Sequence, residues 1–241
     1  MDNNSSGFQE NIYDLKVSED IEFKDLRLRQ IIRESLCGIN CKILDVGCGD
    51  GCLLEPFVKV HSCFGVDVSS GQLDKANSKG LLTYQIDLER QNLPFKDDFF
   101  DLVVCSETIE HLIDIDVLMY EIHRVTKING VFILTFPNVN QPISCPMQLI
   151  YDLPPRFSAR YKSTHVRDYT LKIVRNILLK FDFQIEIING TYIYPFKDKL
   201  SQFLANCFPR LSEKIIIRSR KHRKTLPKKE TVPVIWNVLD L

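Results

Sequence analysis

The chain has little of what marks a metal-stapled, secreted or membrane-spanning protein. Eight cysteines are present, yet none stand in a CxxC pair, and no metal site is read from them. Cys41, Cys63 and Cys105 fall inside apolar stretches, which suits reduced structural thiols. No run approaches 18 uninterrupted apolar residues, so no membrane span is expected, and the polar Met1–Glu10 segment lacks the basic-then-apolar order of a secretion signal. Net charge of one sign is missing as well: 31 Lys plus Arg offset 31 Asp plus Glu, which removes the overall electrostatic case for nucleic acid or an anionic membrane. A cytoplasmic protein is the expectation; oligomeric state is left open.

What the chain does have is enough apolar residue for one core. With 241 residues, 44% hydrophobic and 26% charged, it reads as a folded domain over 21–221, with a flexible start over 1–20 and a tail over 222–241. Ile21–Leu36 places its apolar residues on one helical face before Gly38. β-type runs then follow at Lys42–Val46, Cys63–Val68, Leu81–Ile86, Asp101–Cys105 and Val131–Phe136, with helix-length stretches between most of them. That alternation predicts a doubly wound α/β fold, a parallel sheet with helices on both faces. Further on, Thr170–Lys180 and Lys199–Cys207 read as helices, Phe183–Ile188 and Glu213–Arg218 as strands. Five prolines between Pro137 and Asp168 predict broken regular structure, and an insertion of that length in a compact domain suits a lid over a site.

Chemistry concentrates where the first strand ends. Ile43-Leu44-Asp45-Val46 runs into Gly47, Gly49 and Gly51 at alternate positions, followed by an expected helix over Cys52–Val60. A strand, a glycine turn and a helix let a ligand approach backbone amides at a helix start. Asp45 can order the turn or accept from a ligand ammonium. Twenty residues after Gly47, Asp67 closes the second strand, where an open α/β sheet places an acid that accepts ribose hydroxyls. A nicotinamide-dependent oxidoreductase would show the same two features.

Three further blocks follow in order: Gln85–Phe95, with Asp87 ahead of Leu93-Pro94-Phe95; Asp97–Glu107, which holds the fourth strand; and Glu121–Leu134, a helix, glycine turn and strand. With these the chain resembles the class I, Rossmann-like S-adenosylmethionine-dependent methyltransferases over about Leu26–Lys221, and more broadly the ubiquinone-type O-methyltransferases. The resemblance implies a single mostly parallel seven-stranded sheet with an antiparallel last strand, and S-adenosyl-L-methionine as cofactor. It implies that Asp87 accepts from the adenine amino group with Leu88 against the ring, that Ser106 lies beside the methionine part, and that Arg27 meets the cofactor carboxylate, with Arg29 as the alternative.

The acceptor side is less determined. His111, in Glu107-Thr108-Ile109-Glu110-His111, is the first candidate general base, and His165 the second; each also reads as an ordinary packing or loop histidine. Tyr151, Arg156, Tyr161 and Arg167 in the insertion suit either an anionic or aromatic acceptor or plain lid packing. The Arg218–Lys224 cluster, without interleaved aromatics, reads as a solvated tail. Ser106-Glu107-Thr108-Ile109 stands where methyltransferases of DNA amino groups carry Asn/Asp-Pro-Pro-Tyr/Phe, so nucleic acid is not expected. The expected activity is methyl transfer to a small-molecule acceptor at oxygen; the alternatives are a catalytically silent donor-binding adaptor and an NAD(P)-dependent oxidoreductase.

Overall fold

The computed structural model describes residues 22–36, 38–151 and 165–223. The segments 1–21, 152–164 and 224–241 and residue 37, and with them Arg156, Tyr161 and Trp236, lie outside the described residues. Helix α1 (Glu22–Ser35) leads into β1 (Lys42–Val46), β2 (Ser62–Asp67), α2 (Ser70–Ser78), β3 (Leu82–Gln85), β4 (Phe100–Ser106), α3 (Ile115–Val125) and β5 (Thr126–Pro137). Then come α4 (Ser144–Tyr151), α5 (Leu171–Lys180), β6 (Phe183–Gly190), α6 (Lys199–Cys207) and β7 (Lys214–Lys221).

All seven strands form one sheet in the order β3-β2-β1-β4-β5-β7-β6. Pairings from β3 through β5 are parallel, whereas β7 runs antiparallel to both β5 and β6. This is the mostly parallel, seven-stranded arrangement that the sequence implied, helices on both faces. The central strands explain themselves by alternation, since successive side chains point to opposite faces. Leu44, Val46, Val103 and Cys105 pack with α3 and α5 on one face. Ile43, Leu102 and Val104 pack with α1 and α2 on the other. Each fully buried aliphatic side chain contributes about 1.5–3 kcal/mol, so the two clusters tie the sheet to its helices.

Helix starts follow local chemistry: Ser69, Asp114, Thr170 and Asp198 each cap one, with the side-chain oxygen accepting an amide from the first turn. One expected helix does not form. Cys52–Val60 holds turns and a 3₁₀ segment at Glu55–Phe57, because Pro56 has no amide to donate and the chain closes instead through Phe57 N to Leu54 O. Within the proline-rich insertion, 144–151 is helical despite Pro146, which lies in the first turn where a missing amide costs nothing. The basic cluster also differs from the expected solvated tail. Arg218 and Arg220 both pair with Glu186, and the buried Lys221 donates to Asp98 Oδ1 and to the carbonyls of His123 and Thr126. These cations therefore belong to β7 and hold it in the sheet.

Candidate functional site

The carboxyl ends of β1, β2, β3 and β4 meet at one edge of the sheet, and an open cleft lies there. Its first wall is the turn after β1. Gly47 N donates to Val66 O at 2.8 Å, which turns the chain sharply off the strand. Gly47 has φ +76°, and a Cβ there would lie 2.3 Å from Thr108 Oγ1. Gly49 has φ +51° with no atom of the described residues within 4 Å of a would-be Cβ, so at this point bare backbone faces open space. Gly51 meets a different demand, since a Cβ there would collide with Ala76 of α2.

Asp67 stands at the end of β2 and links the first two walls. Its Oδ2 accepts from Gly49 N at 2.9 Å and its Oδ1 from Ser69 N at 3.0 Å. Asp67 both lines the cleft and fixes the turn that makes it. Beyond β3, Ile86, Asp87, Leu88 and Glu89 also line the cleft. The Asp87 carboxylate accepts from Glu89 N at 3.0 Å and lies 3.5 Å from Arg90 Nε.

The opposite wall follows β4 and consists of Glu107, Thr108, His111 and Leu112. Glu107 adopts φ +54°, a conformation rare for a side chain of its size. Its carboxylate accepts from Thr135 Oγ1 at 3.1 Å and pairs with Lys214 Nζ at 3.0 Å. Thr108 donates to Val46 O, fastening this wall to the end of β1. The 3₁₀ turn Ile109–His111 then sets His111 into the cleft. Glu110 is buried beside it, and its carbonyl accepts from Val166 N and Arg167 N. That clip brings His165 against His111, with ring centroids 4.8 Å apart and planes at 74°. His165 Nε2 lies 3.9 Å from Glu110 Oε1.

Of the residues singled out in the sequence, Gly47, Gly49, Asp67, Asp87, Leu88 and His111 line the cleft together. Asp45 is buried behind the turn, and burial together with the Asp45 charge pushes the Cys63 thiol up to about 12. Ser106 lies behind the opposite wall, its hydroxyl 3.0 Å from that of Thr135. Arg27 does not reach the cleft: its guanidinium donates to Gly190 O and to Asn206. Arg29 is also occupied, with Cys52 O at 2.5 Å.

Sequence reasoning missed two things. Lys214 joins the site through Glu107 from 107 positions away, which no local pattern encodes. The grouping of Glu110, His111 and His165 brings three donor atoms within 4.8 Å of one another, and this carboxylate and two imidazoles are a donor set that a divalent cation accepts.

Comparison with known proteins matches a family described as "Methyltransferase domain" to residues 44–134, the stretch that builds the cleft's walls from β1 through β5. Residues 44–134 thus match a methyltransferase domain. The methyl donor of that family is S-adenosylmethionine. The uncharacterized methyltransferase YcgJ of Bacillus subtilis is 32% identical over 119 residues, 47% of this chain and 46% of that protein. The ubiquinone biosynthesis O-methyltransferase of Pasteurella multocida is 28% identical over 166 residues, 63% of this chain and 68% of its own. A ubiquinone/menaquinone biosynthesis C-methyltransferase of Burkholderia multivorans is 30% identical over 42% of this chain and 46% of its own. The chain thus spans about half the length of most of these curated relatives. The crystal structure of YcgJ superposes with a TM-score of 0.60 at 21% identity, covering 83% of this chain and 99% of that one, which shows the shared fold.

Proposed function

We propose that this protein is a methyltransferase that transfers the methyl group of S-adenosylmethionine to a small-molecule acceptor, at oxygen. The observation that carries the reading is the two-sided cleft, with bare backbone and Asp67 on one wall and His111 on the other. The first wall suits the donor: Gly49 leaves room that any Cβ would fill, Asp67 offers a carboxylate to a ribose, and Leu88 offers an apolar surface to a base. Asp87 is the acceptor for the adenine amino group.

The donor supplies an activated methyl group, so the protein's share is alignment and removal of a proton. His111 is placed to take the proton from the acceptor hydroxyl, and His165 and Glu110 hold its ring in position. Glu107, held by Thr135 and Lys214, keeps this wall fixed while the acceptor binds. Each of the two quinone-pathway relatives methylates at a different atom, oxygen in one and carbon in the other, by their names; the hydroxyl reading rests on the base beside the cleft.

The test is calorimetric titration of the full chain with S-adenosylmethionine and separately with NADH, followed by a screen of phenol and carboxylate acceptors for methyl transfer. Donor binding without NADH binding, with turnover on a hydroxyl acceptor, is the expected result. NADH binding would revive the oxidoreductase alternative, and donor binding with no turnover on any acceptor would identify a silent adaptor.

A further inference from the structure

Helix α6 is built the wrong way out. Its buried positions are the small Ser201 and Ala205, which let it sit tightly on β6: a Cβ at Gly190 would lie 2.5 Å from Ala205 O. Its large apolar residues point to solvent instead. Leu200 is 64% exposed and Phe203 63%, and the flanking loops add Phe196 at 65% and Phe208 at 53%. A helix packed on a core normally shows the opposite pattern; Leu200 and Phe203, three apart, share one helical face, and outward apolar side chains gathered on one segment mark an interaction site.

Charge indicates what covers it. Lys197, Lys199 and Arg210 stand among these side chains on the exposed surface, whereas the one acid of the segment, Asp198, is committed to capping the helix through Ser201 N at 2.7 Å. Outward Phe and Leu with Lys and Arg beside them are the composition of a segment that lies in a bilayer interface, apolar side chains among the acyl chains and cations at anionic headgroups. No helix of the described residues is long and apolar enough to cross a membrane.

Topology sets the orientation. Gly190 ends β6 opposite Ile215 near the start of β7, so the whole connection that carries α6 lies at the carboxyl edge of the sheet, the edge where the cleft opens. Asn138, just past the end of β5, donates to Arg210 O and Ser212 O at that same edge. We infer that the α6 face, with Phe196 and Phe208 at its ends, is a docking surface for an anionic lipid bilayer that holds the protein with its cleft edge beside the membrane. This surface stands independently of the methyl-transfer reading, and no residue in it lines the cleft.

The experiment is co-sedimentation of the full chain with vesicles of phosphatidylcholine alone and of phosphatidylcholine with phosphatidylglycerol, for the native protein, Phe203→Glu and Lys197→Glu/Lys199→Glu. Thermal denaturation and donor titration confirm that the variants fold. The expected result is binding to the anionic vesicles only, weakened about tenfold by Phe203→Glu and weakened by the double lysine variant and by added salt. Three results overturn the inference: no binding to either vesicle, binding that Phe203→Glu leaves unchanged, or a dimer in light scattering that Phe203→Glu dissociates, which would assign the face to a second copy of the chain.

Discussion

Gly47 and Thr108 touch across the cleft floor: the hydroxyl that fastens the β4 wall to Val46 O occupies the place where a side chain at position 47 would begin. Gly47→Ala must therefore displace Thr108 and also hold alanine at φ +76°. A destabilisation of about 2–4 kcal/mol is expected, of which backbone strain supplies about 1–2 kcal/mol. Denaturant unfolding measures it, and Gly47→Ala with Thr108→Gly should recover the steric part only. Full recovery, or none, would contradict this contact.

Gly49→Arg should behave differently. With open space around that position, the chain tolerates the variant apart from the strain of φ +51°, while the side chain enters the cleft. Donor binding should disappear in calorimetry with the fold retained in circular dichroism. Asp67→Ala should weaken donor binding by about tenfold or more, equal to 1.4 kcal/mol, through a lost hydrogen bond to a charged group. It should also loosen the turn, because the same carboxylate holds Gly49 N.

The His111 group separates two chemistries by one measurement. If His111 is the base, His111→Ala lowers kcat by about 100-fold or more with little change in donor affinity, and a chelator changes nothing. If Glu110, His111 and His165 work through a divalent cation, chelation removes activity, added cation restores it, and Glu110→Gln imitates the chelator.

Stability should fall in mildly acid solution because of His123. Its ring is buried against Phe183, its Nε2 has no hydrogen-bond partner among the described residues, and burial together with the nearby Lys221 holds its pKa down to about 4. Between the unfolded value near 6.5 and about 4, the unfolded chain binds the proton and the folded one does not. The stabilisation is thus complete above about pH 6.5 and is lost as pH falls toward 4, an effect on the order of 2 kcal/mol. Thermal denaturation across that window should flatten in His123→Phe; an unchanged slope would assign the acid loss to other groups.

The parallel half of the sheet was legible because its strands are buried on both faces and read as apolar runs bounded by turn residues. The glycine turn that lines the cleft was legible for a related reason, since three glycines at alternate positions leave a mark that composition cannot blur. Cys52–Val60 misled because Leu53, Leu54 and Phe57 are buried as a helix would bury them, while the hydrogen bonds depend on Pro56. Arg27 misled because interval along the chain does not report which neighbour a long side chain finds, and Gly190 O and Asn206 claim it. His165 was placed beside His111 by backbone amides at 166 and 167, and such amides are the same in every sequence.

Lys214 opens β7, the last strand of the described residues, which sits between two made earlier. As the polypeptide leaves the ribosome amino end first, β5 and β6 emerge with a gap between them, and the Glu107–Lys214 bridge cannot close until the final strand slots in. The Glu107 wall of the cleft thus stays unfinished until β7 is in place, and a nascent chain halted before residue 214 is an assembly intermediate.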